Sequence, residues 1–312
     1  MIRIEKYKPK FKESWNKLVR SSKNGYFMFE REFMEYHSGR FVDNSLMFFD
    51  DDDLIALMSA NIKDDVLYSH QGLSFGGIVS DSKMKTAKML EIFLELKNYC
   101  KDQGIRKIIY KAIPYIYHQI PADEDSFGLY KNNAKLVKCE VSSTIYLDNK
   151  LKLSKGKKCG ISKAKKSNLE IRETKDFESF LKIEKEVLKK HNAKPVHTYK
   201  EMLFLQSLFP ENIKLYGVYN LDNNLIAGTI LFKTENLVHT QYIAANQEGF
   251  EKGAIDYLIS HLIYDKYSNL KYFDFGISTE DGGNYLNEGL VLQKEMFGAR
   301  TVLFKTYELD IK

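Results

Sequence analysis

The sequence predicts an α/β protein, α+β in the wider sense, made of two copies of one module, each a mixed, mostly antiparallel sheet flanked by helices. The first supporting observation is a repeat. Glu13-Ser14-Trp15 returns as Glu178-Ser179-Phe180 at an offset of 165, Leu54-Ile55-Ala56 as Leu225-Ile226-Ala227 at 171, Ile108–Pro114 as Tyr272–Ser278 at 164, and Tyr146 as Tyr307 at 161. Solenoid units repeat every ~20–50 residues, so this period marks a duplicated domain. The second is the order of signals within each half: an amphipathic helix, a hairpin, a Gly-containing loop, a long helix, then strands. The third is length, since 312 residues suit two domains of roughly 150 each. The modules are placed at 1–149 and 150–312.

In the first half, 11–19 and 31–36 read as helices, and 46–49 with 54–61 as a hairpin around Asp50-Asp51-Asp52-Asp53. Alternating apolar residues flank that acidic run, which marks a solvated turn rather than a metal site. A strand at 66–69 opens into His70-Gln71-Gly72-Leu73-Ser74-Phe75-Gly76-Gly77. Met89, Ile92, Phe93, Leu96, Tyr99 and Cys100 recur at helical spacing over 83–103, Gly104 stops that helix, and 105–113 is a β-branched strand. The second half predicts strands at 215–219, 225–233 and 237–244, a helix at 253–267, a strand at 272–276, a helix at 284–297 and a strand at 301–309.

Composition bounds the class. The chain is 44% hydrophobic with 20 Phe and 20 Tyr, enough for two cores. Cys100, Cys139 and Cys159 are odd in number and lack metal-ligand spacing, so neither a disulfide framework nor a metal is expected. Met1–Lys6 holds no signal-like apolar run and nothing approaches the ~18 apolar residues of a membrane span, so a cytoplasmic protein is expected. The net charge of +5 is modest, but residues 150–166 carry eight lysines and no acid. Such a segment suits a phosphate-rich partner, whether nucleotide-sugar, lipid-linked pyrophosphate or tRNA, and equally a solvated linker helix. No Gly-x-Gly-x-x-Gly or Walker sequence points to a nucleotide-binding parallel sheet.

Three segments carry a family resemblance. Ser154-Lys155-Gly156-Lys157-Lys158 through Leu169-Glu170 is similar to the basic helix that opens the second domain of FemABX-like enzymes. Gln241-Tyr242-Ile243-Ala244-Ala245-Asn246, followed by Gly253-Ala254, resembles the strand, loop and helix start at which Gcn5-related N-acetyltransferases (GNATs) hold the donor pyrophosphate. Asp274-Phe275-Gly276, Gly289-Leu290 and Lys294-Glu295-Met296-Phe297-Gly298 resemble the closing strand and helix of the same family. The whole chain thus resembles the FemABX-like branch, in which two GNAT-like domains are fused. The coiled-coil arm of some members is absent, which favours the shorter, polysaccharide- and cell-wall-associated enzymes and places tRNA second among partners.

The resemblance implies an N-acyltransferase that moves an acyl group, acetyl from acetyl-CoA or another acyl-CoA, to an amine of an aminosugar or cell-wall precursor. The acceptor would be a small molecule or a nucleotide- or lipid-linked sugar, with transient contact at a membrane surface. Aminoacyl transfer from aminoacyl-tRNA and a non-catalytic GNAT-fold binding module are the alternatives. Lys294 would stabilise a developing oxyanion, Asp274 would orient the acceptor or serve as base, and Tyr242 would protonate the leaving group. Ile243, Ala244, Ala245, Lys252, Gly253 and Ala254 would hold the donor, because free amides at a helix start attract phosphate. That loop departs from the family's Gln/Arg-x-x-Gly-x-Gly/Ala pattern, and Glu248 and Glu251 oppose an anion, so an ordinary capped helix start is the other reading. His239 and Tyr285 are candidate substrate contacts in the second domain. Arg40, His70, Gln71 and Lys111 are assigned to the acceptor site, with a plain turn and surface charges as the competing reading.

Overall fold

In the computed structural model, which describes residues 1–36, 38–190 and 195–311, the C-terminal strand leaves the module that precedes it. One unit comprises Met1–Glu140 and Leu303–Lys312, the other Val141–Val302. This differs from the division expected at 149/150 because Thr306–Asp310 pairs antiparallel with Lys111–Lys107 of the first unit.

The first unit contains β1 (Ile2–Lys6), α1 (Lys12–Ser21), α2 (Arg31–Glu35), β2 (Val42–Asp43), β3 (Leu46–Asp50), β4 (Asp53–Met58), β5 (Asn61–Lys63), β6 (Val66–Tyr68), β7 (Ile78–Ser80), α3 (Thr86–Asp102), β8 (Lys107–Lys111) and α4 (Glu124–Lys131). β9 (Lys135–Tyr146) carries the chain into the second unit. There follow α5 (Lys155–Lys166), β10 (Glu170–Thr174), α6 (Phe177–Lys189), α7 (Tyr199–Leu208), β11 (Ile213–Tyr219), β12 (Leu225–Lys233), β13 (Leu237–Ala245), α8 (Gln247–Glu251), α9 (Ala254–His261), β14 (Tyr272–Ile277), β15 (Thr279–Glu280), β16 (Tyr285–Leu286), α10 (Glu288–Glu295) and β17 (Arg300–Asp310).

In the first unit β1-β3-β4-β7 form one antiparallel sheet, while β17, β8, β6, β5 and β2 are neighbours in that order in another. Asp51, with φ of 52°, turns the β3–β4 hairpin where the acidic run predicted it. The apolar stripe of α3, Met89, Ile92, Phe93, Leu96 and Cys100, is buried in the same core as Leu46, Phe48, Met58, Leu67 and Ile108. Gly104 ends the helix at φ 68°.

The second unit orders its strands β10-β11-β12-β13-β14-β9. Every neighbouring pair is antiparallel except β13–β14. One face packs on α5 and α9, where Ala164, Ala254, Leu258 and Ile259 join Val238, Phe273 and Phe275 in one core. On the other face the Phe180 ring of α6 lies over Gly228, where an added Cβ would stand 2.8 Å from that ring. The helix expected at 284–297 is shorter. Gly282 and Gly283, both at positive φ, turn a small β15–β16 hairpin, and Asn287 then caps α10 by accepting from the Leu290 N–H.

Candidate active site

β13 and β14 pair at only three positions, Leu237↔Tyr272, Val238↔Phe273 and His239↔Asp274. Beyond them β13 remains paired with β12 as far as Ala245, and β14 with β9 at Ile277↔Ser142, but not with each other. The sheet therefore forks at His239 and Asp274, leaving the fork-side edge of Gln241–Ala245 without a ladder partner among the described residues. Gly276, at φ 74°, kinks β14 here. A Cβ on it would stand 3.0 Å from His239 Cε1, so the bend and the close approach both call for glycine.

The last pair of the fork is a hydrogen-bonded dyad. His239 Nδ1 donates to Asp274 Oδ2 at 2.7 Å, while Ser142 and Thr144 of β9 each donate to Asp274 Oδ1 at 2.7 Å. Phe273 and Phe275 point into the core, so the alternation of the strand turns Asp274 to the opposite face. Asp274 is 0% exposed. Burial alone would push its carboxyl up; the donors from His239, Ser142 and Thr144 outweigh it and hold the pKa below the ordinary range. A carboxylate only accepts, so Nδ1 carries a proton, and in the neutral ring Nε2 then offers its lone pair. Nε2 has no hydrogen-bond partner among the described residues, and the His239 side chain keeps 16% exposure. This is the arrangement of an oriented general base.

A bulge adds Tyr242 to the same face. Ile230 pairs with Tyr242 and Leu231 with Thr240, so Gln241 is an extra residue in β13. Without it, residues 239 and 242 would point to opposite faces. With it, Val238 before the bulge and Ile243 and Ala245 after it all meet the α9-side core, and His239 and Tyr242 share the other side. The Tyr242 hydroxyl and His197 Nδ1 are 2.7 Å apart. Burial, with the nearby charge of Glu184 on α6 adding, pushes the phenol up to about 12, so Tyr242 stays protonated at neutral pH.

Lys294 closes the turn beyond the fork. Its Nζ donates to Gly276 O and Ile277 O at 2.8 Å and to Ser278 Oγ at 2.7 Å, which occupies all three N–H groups. Burial pulls its pKa down to about 8 although Asp274 acts to raise it. Lys294 thus fixes the 276–278 turn against the His239 ring, and its ammonium is committed to its own chain.

With this geometry in view, the likeness to solved structures becomes informative. No protein-family model matches the sequence, and no curated protein matches it. FemX superposes with a TM-score of 0.68 at 9% identity, covering 99% of this chain and 97% of that one. The chain has the tandem GNAT fold. L-PGS from Bacillus licheniformis matches at TM-score 0.64 and 11% identity over 99% and 93% of the two chains. A tandem GNAT protein from the clavulanic acid biosynthesis pathway matches at 0.53 and 7% over 100% and 99%. At these identities the likeness is one of fold.

Within the GNAT fold, the expected donor-binding residues divide into two sets. Ile243, Ala244 and Ala245 lie on the open edge of the fork, a place where an extended acyl arm could pair. The loop after them is filled by the chain's own groups. Asn246 caps α8 by accepting from the Gly249 N–H, and Glu248 in its first turn binds Lys252 at 2.7 Å and Asn220 at 2.9 Å. Gly253 caps α9 at φ 70°, with the Gly160 carbonyl of α5 only 2.5 Å from where its Cβ would be, and Ala254 is 0% exposed. In the first turn of α9, Asp256 holds Lys157 at 2.7 Å, so the helix start carries a carboxylate, whose charge opposes an anion.

The first-unit candidates build a turn. His70, at φ 59° and 3% exposed, accepts the Gly72 N–H on Nδ1 and packs edge-on against Phe41. Gln71 exchanges two bonds with Asn61, its N–H donating to Oδ1 at 2.8 Å and its Oε1 accepting from Nδ2 at 2.9 Å. Lys111 Nζ donates to His70 O, Gln71 O and Leu73 O, and burial pulls its pKa down to about 8. Arg40 is exposed at the end of the short 3-10 turn Ser38–Arg40. In the second unit Tyr285 lies on β16, 58% exposed, rather than at a helix start.

Sequence reasoning overlooked Ser142, Thr144, Glu184 and His197. A Ser-x-Thr pair on a strand was the readable signal for the first two. Among the described residues no cluster of His, Cys, Asp and Glu could hold a metal, and no helix is long and apolar enough to cross a membrane.

Proposed function

We propose that this chain is an acyltransferase that moves an acyl group onto an amine, with His239 as the general base and Asp274 as the residue that orients it. The observation carrying this reading is the 2.7 Å His239–Asp274 contact at the fork of β13 and β14. In the reaction the amine nitrogen attacks the acyl carbonyl carbon and its proton passes to His239 Nε2. The tetrahedral adduct then collapses, the bond from the acyl carbon to the leaving heteroatom breaks, and that heteroatom takes the proton back from the imidazolium or from the Tyr242 hydroxyl. Lys294 acts by holding the turn that backs the imidazole. The acceptor is an aminosugar or a cell-wall or surface-polysaccharide precursor.

Acetyl-CoA is the donor that the fold most directly suggests. A second reading, an aminoacyl ester such as aminoacyl-tRNA, is favoured by one observation: Asp256 and Glu248 occupy the anion-facing positions at the starts of α9 and α8. The discriminating experiment is turnover of an amine acceptor with acetyl-CoA and with aminoacyl-tRNA, in wild type and His239→Ala. The expected result is a fall in kcat of roughly 10²–10⁴-fold in the variant with whichever donor works. Turnover within threefold of wild type would remove His239 from the mechanism. Absence of turnover with both donors, together with no heat on titrating CoA or acetyl-CoA, would favour a binding module.

A further inference from the structure

Glu184 is left unexplained by the reaction above. It lies on α6, is 6% exposed, and its Oε2 is buried with no hydrogen-bond partner among the described residues. Its position follows from the packing. Phe180 lies over Gly228, whose partner across the ladder is Ala244, and Glu184 is one helical turn further on. Two residues along the strands, the same face presents Ile230 and Tyr242, and Tyr242 feels the Glu184 charge. The carboxylate therefore sits on the dyad's side of the sheet, beside a tyrosine ring that itself touches His197.

We infer that Glu184 is a recognition carboxylate for a primary ammonium group of the substrate, seated between its Oε2 and the Tyr242 ring and hydroxyl. The chemistry is specific to a cation. An ammonium supplies the missing donor to Oε2, offsets a buried negative charge, and is attracted to an aromatic face. Burial alone pushes the Glu184 carboxyl up to about 7, and no neighbouring charge acts against it. A neutral acyl arm would leave that carboxylate as unsatisfied as it is now. Since the fork is the proposed site of transfer, the inference rests on that reading and narrows it to substrates with a free amine near the reacting carbonyl. The amine could belong to the donor, as in an aminoacyl group, or to an aminosugar acceptor.

Calorimetric titration separates these without requiring turnover. Alaninamide and lysinamide stand for the donor and glucosamine for the acceptor, each compared with its N-acetylated form. Wild type is expected to bind at least one free amine tenfold or more tightly than its N-acetyl counterpart. Glu184→Gln should lose that preference, leave binding of the N-acetyl form unchanged, and melt at a higher temperature than wild type because a buried unpaired carboxylate is gone. The amine that shows the preference names the source. If wild type shows no free-amine preference, or Glu184→Gln keeps it, the inference is overturned; a destabilised Glu184→Gln with unchanged binding would make the residue structural. Failure of the acyltransferase reading would appear separately, as undiminished turnover in His239→Ala.

Discussion

Among the described residues each unit contains one parallel strand pair, and the two pairs end differently. In the first unit β6 and β8 pair at Val66↔Lys107, Leu67↔Ile108 and Tyr68↔Ile109, as β13 and β14 do at three positions in the second. Past the third pair the first unit stitches itself shut. The Ser69 N–H donates to Ile109 O, the Lys111 N–H to Ser69 Oγ, the Gly76 N–H to Lys111 O, and the Lys111 ammonium to three loop carbonyls. At the same place the second unit has no such stitches among the described residues. Where the first has Tyr68 and Ile109, the second has His239 and Asp274. Each unit has a lysine that donates to carbonyls of the turn next to its fork, Lys111 from the end of β8 and Lys294 from α10, two different places in the fold, whereas the dyad belongs to the second unit. Duplication kept the scaffold and changed what fills the wedge.

The sharpest way to break this contrast is to remove the carboxylate. Asp274→Asn leaves the Ser142 and Thr144 donors in place but no longer fixes the His239 tautomer, and kcat is expected to fall by about 10²–10⁴-fold. The variant should also lose the acid sensitivity that Asp274 contributes. Because its folded pKa lies below the ordinary value, the stability it adds is present above the unfolded pKa and is lost as pH falls through the folded one. Urea titrations from pH 7 down to pH 3 would show wild type losing its margin over the variant.

Next in size are the clamps. Lys294→Met orphans a buried carbonyl, at a cost of about 2–3 kcal/mol in denaturant unfolding, and Lys111→Met orphans part-buried ones, at a cost of about 1–2 kcal/mol. Only Lys294→Met should in addition lower kcat, because its turn backs His239. Equal kinetic damage from both variants would erase the distinction between the forks.

Of similar size is a pH trend. Glu184 titrates near 7 in the folded chain and near 4.5 ordinarily, so the folded state holds its proton through that interval. Relative to Glu184→Gln, wild type should lose stability as pH rises from about 4.5 to about 7, by up to roughly 3 kcal/mol. A flat difference across that window would mean that the carboxylate finds a partner in solution.

Much of this was legible in the sequence, and the illegible part has a physical cause. The stripe on α3, the hairpin at Asp51 and the duplicated strand order could be read because they are local periodicities. Asp274 and Lys294 were readable as candidates from their motif, and His239 and Tyr242 from their strand. Their relations were not. The Asp274–His239 bond needs the parallel register of two strands 35 residues apart, and the shared face of His239 and Tyr242 needs a bulge at Gln241, which leaves no compositional mark. Lys294 promised an oxyanion contact, but only the kink at Gly276 reveals that two carbonyls are turned toward it. The helix begun too early at Asn284 has a plainer cause: Tyr285 and Leu286 fit a helical period, and the Asn287 cap that starts α10 was overlooked.

The most direct test of the dyad requires no substrate. Nitrogen chemical shifts of the His239 ring should show its neutral form protonated on Nδ1, with Nε2 bare, and Asp274→Asn should abolish that preference. A neutral wild-type ring protonated on Nε2 would contradict the assignment of His239 as the base.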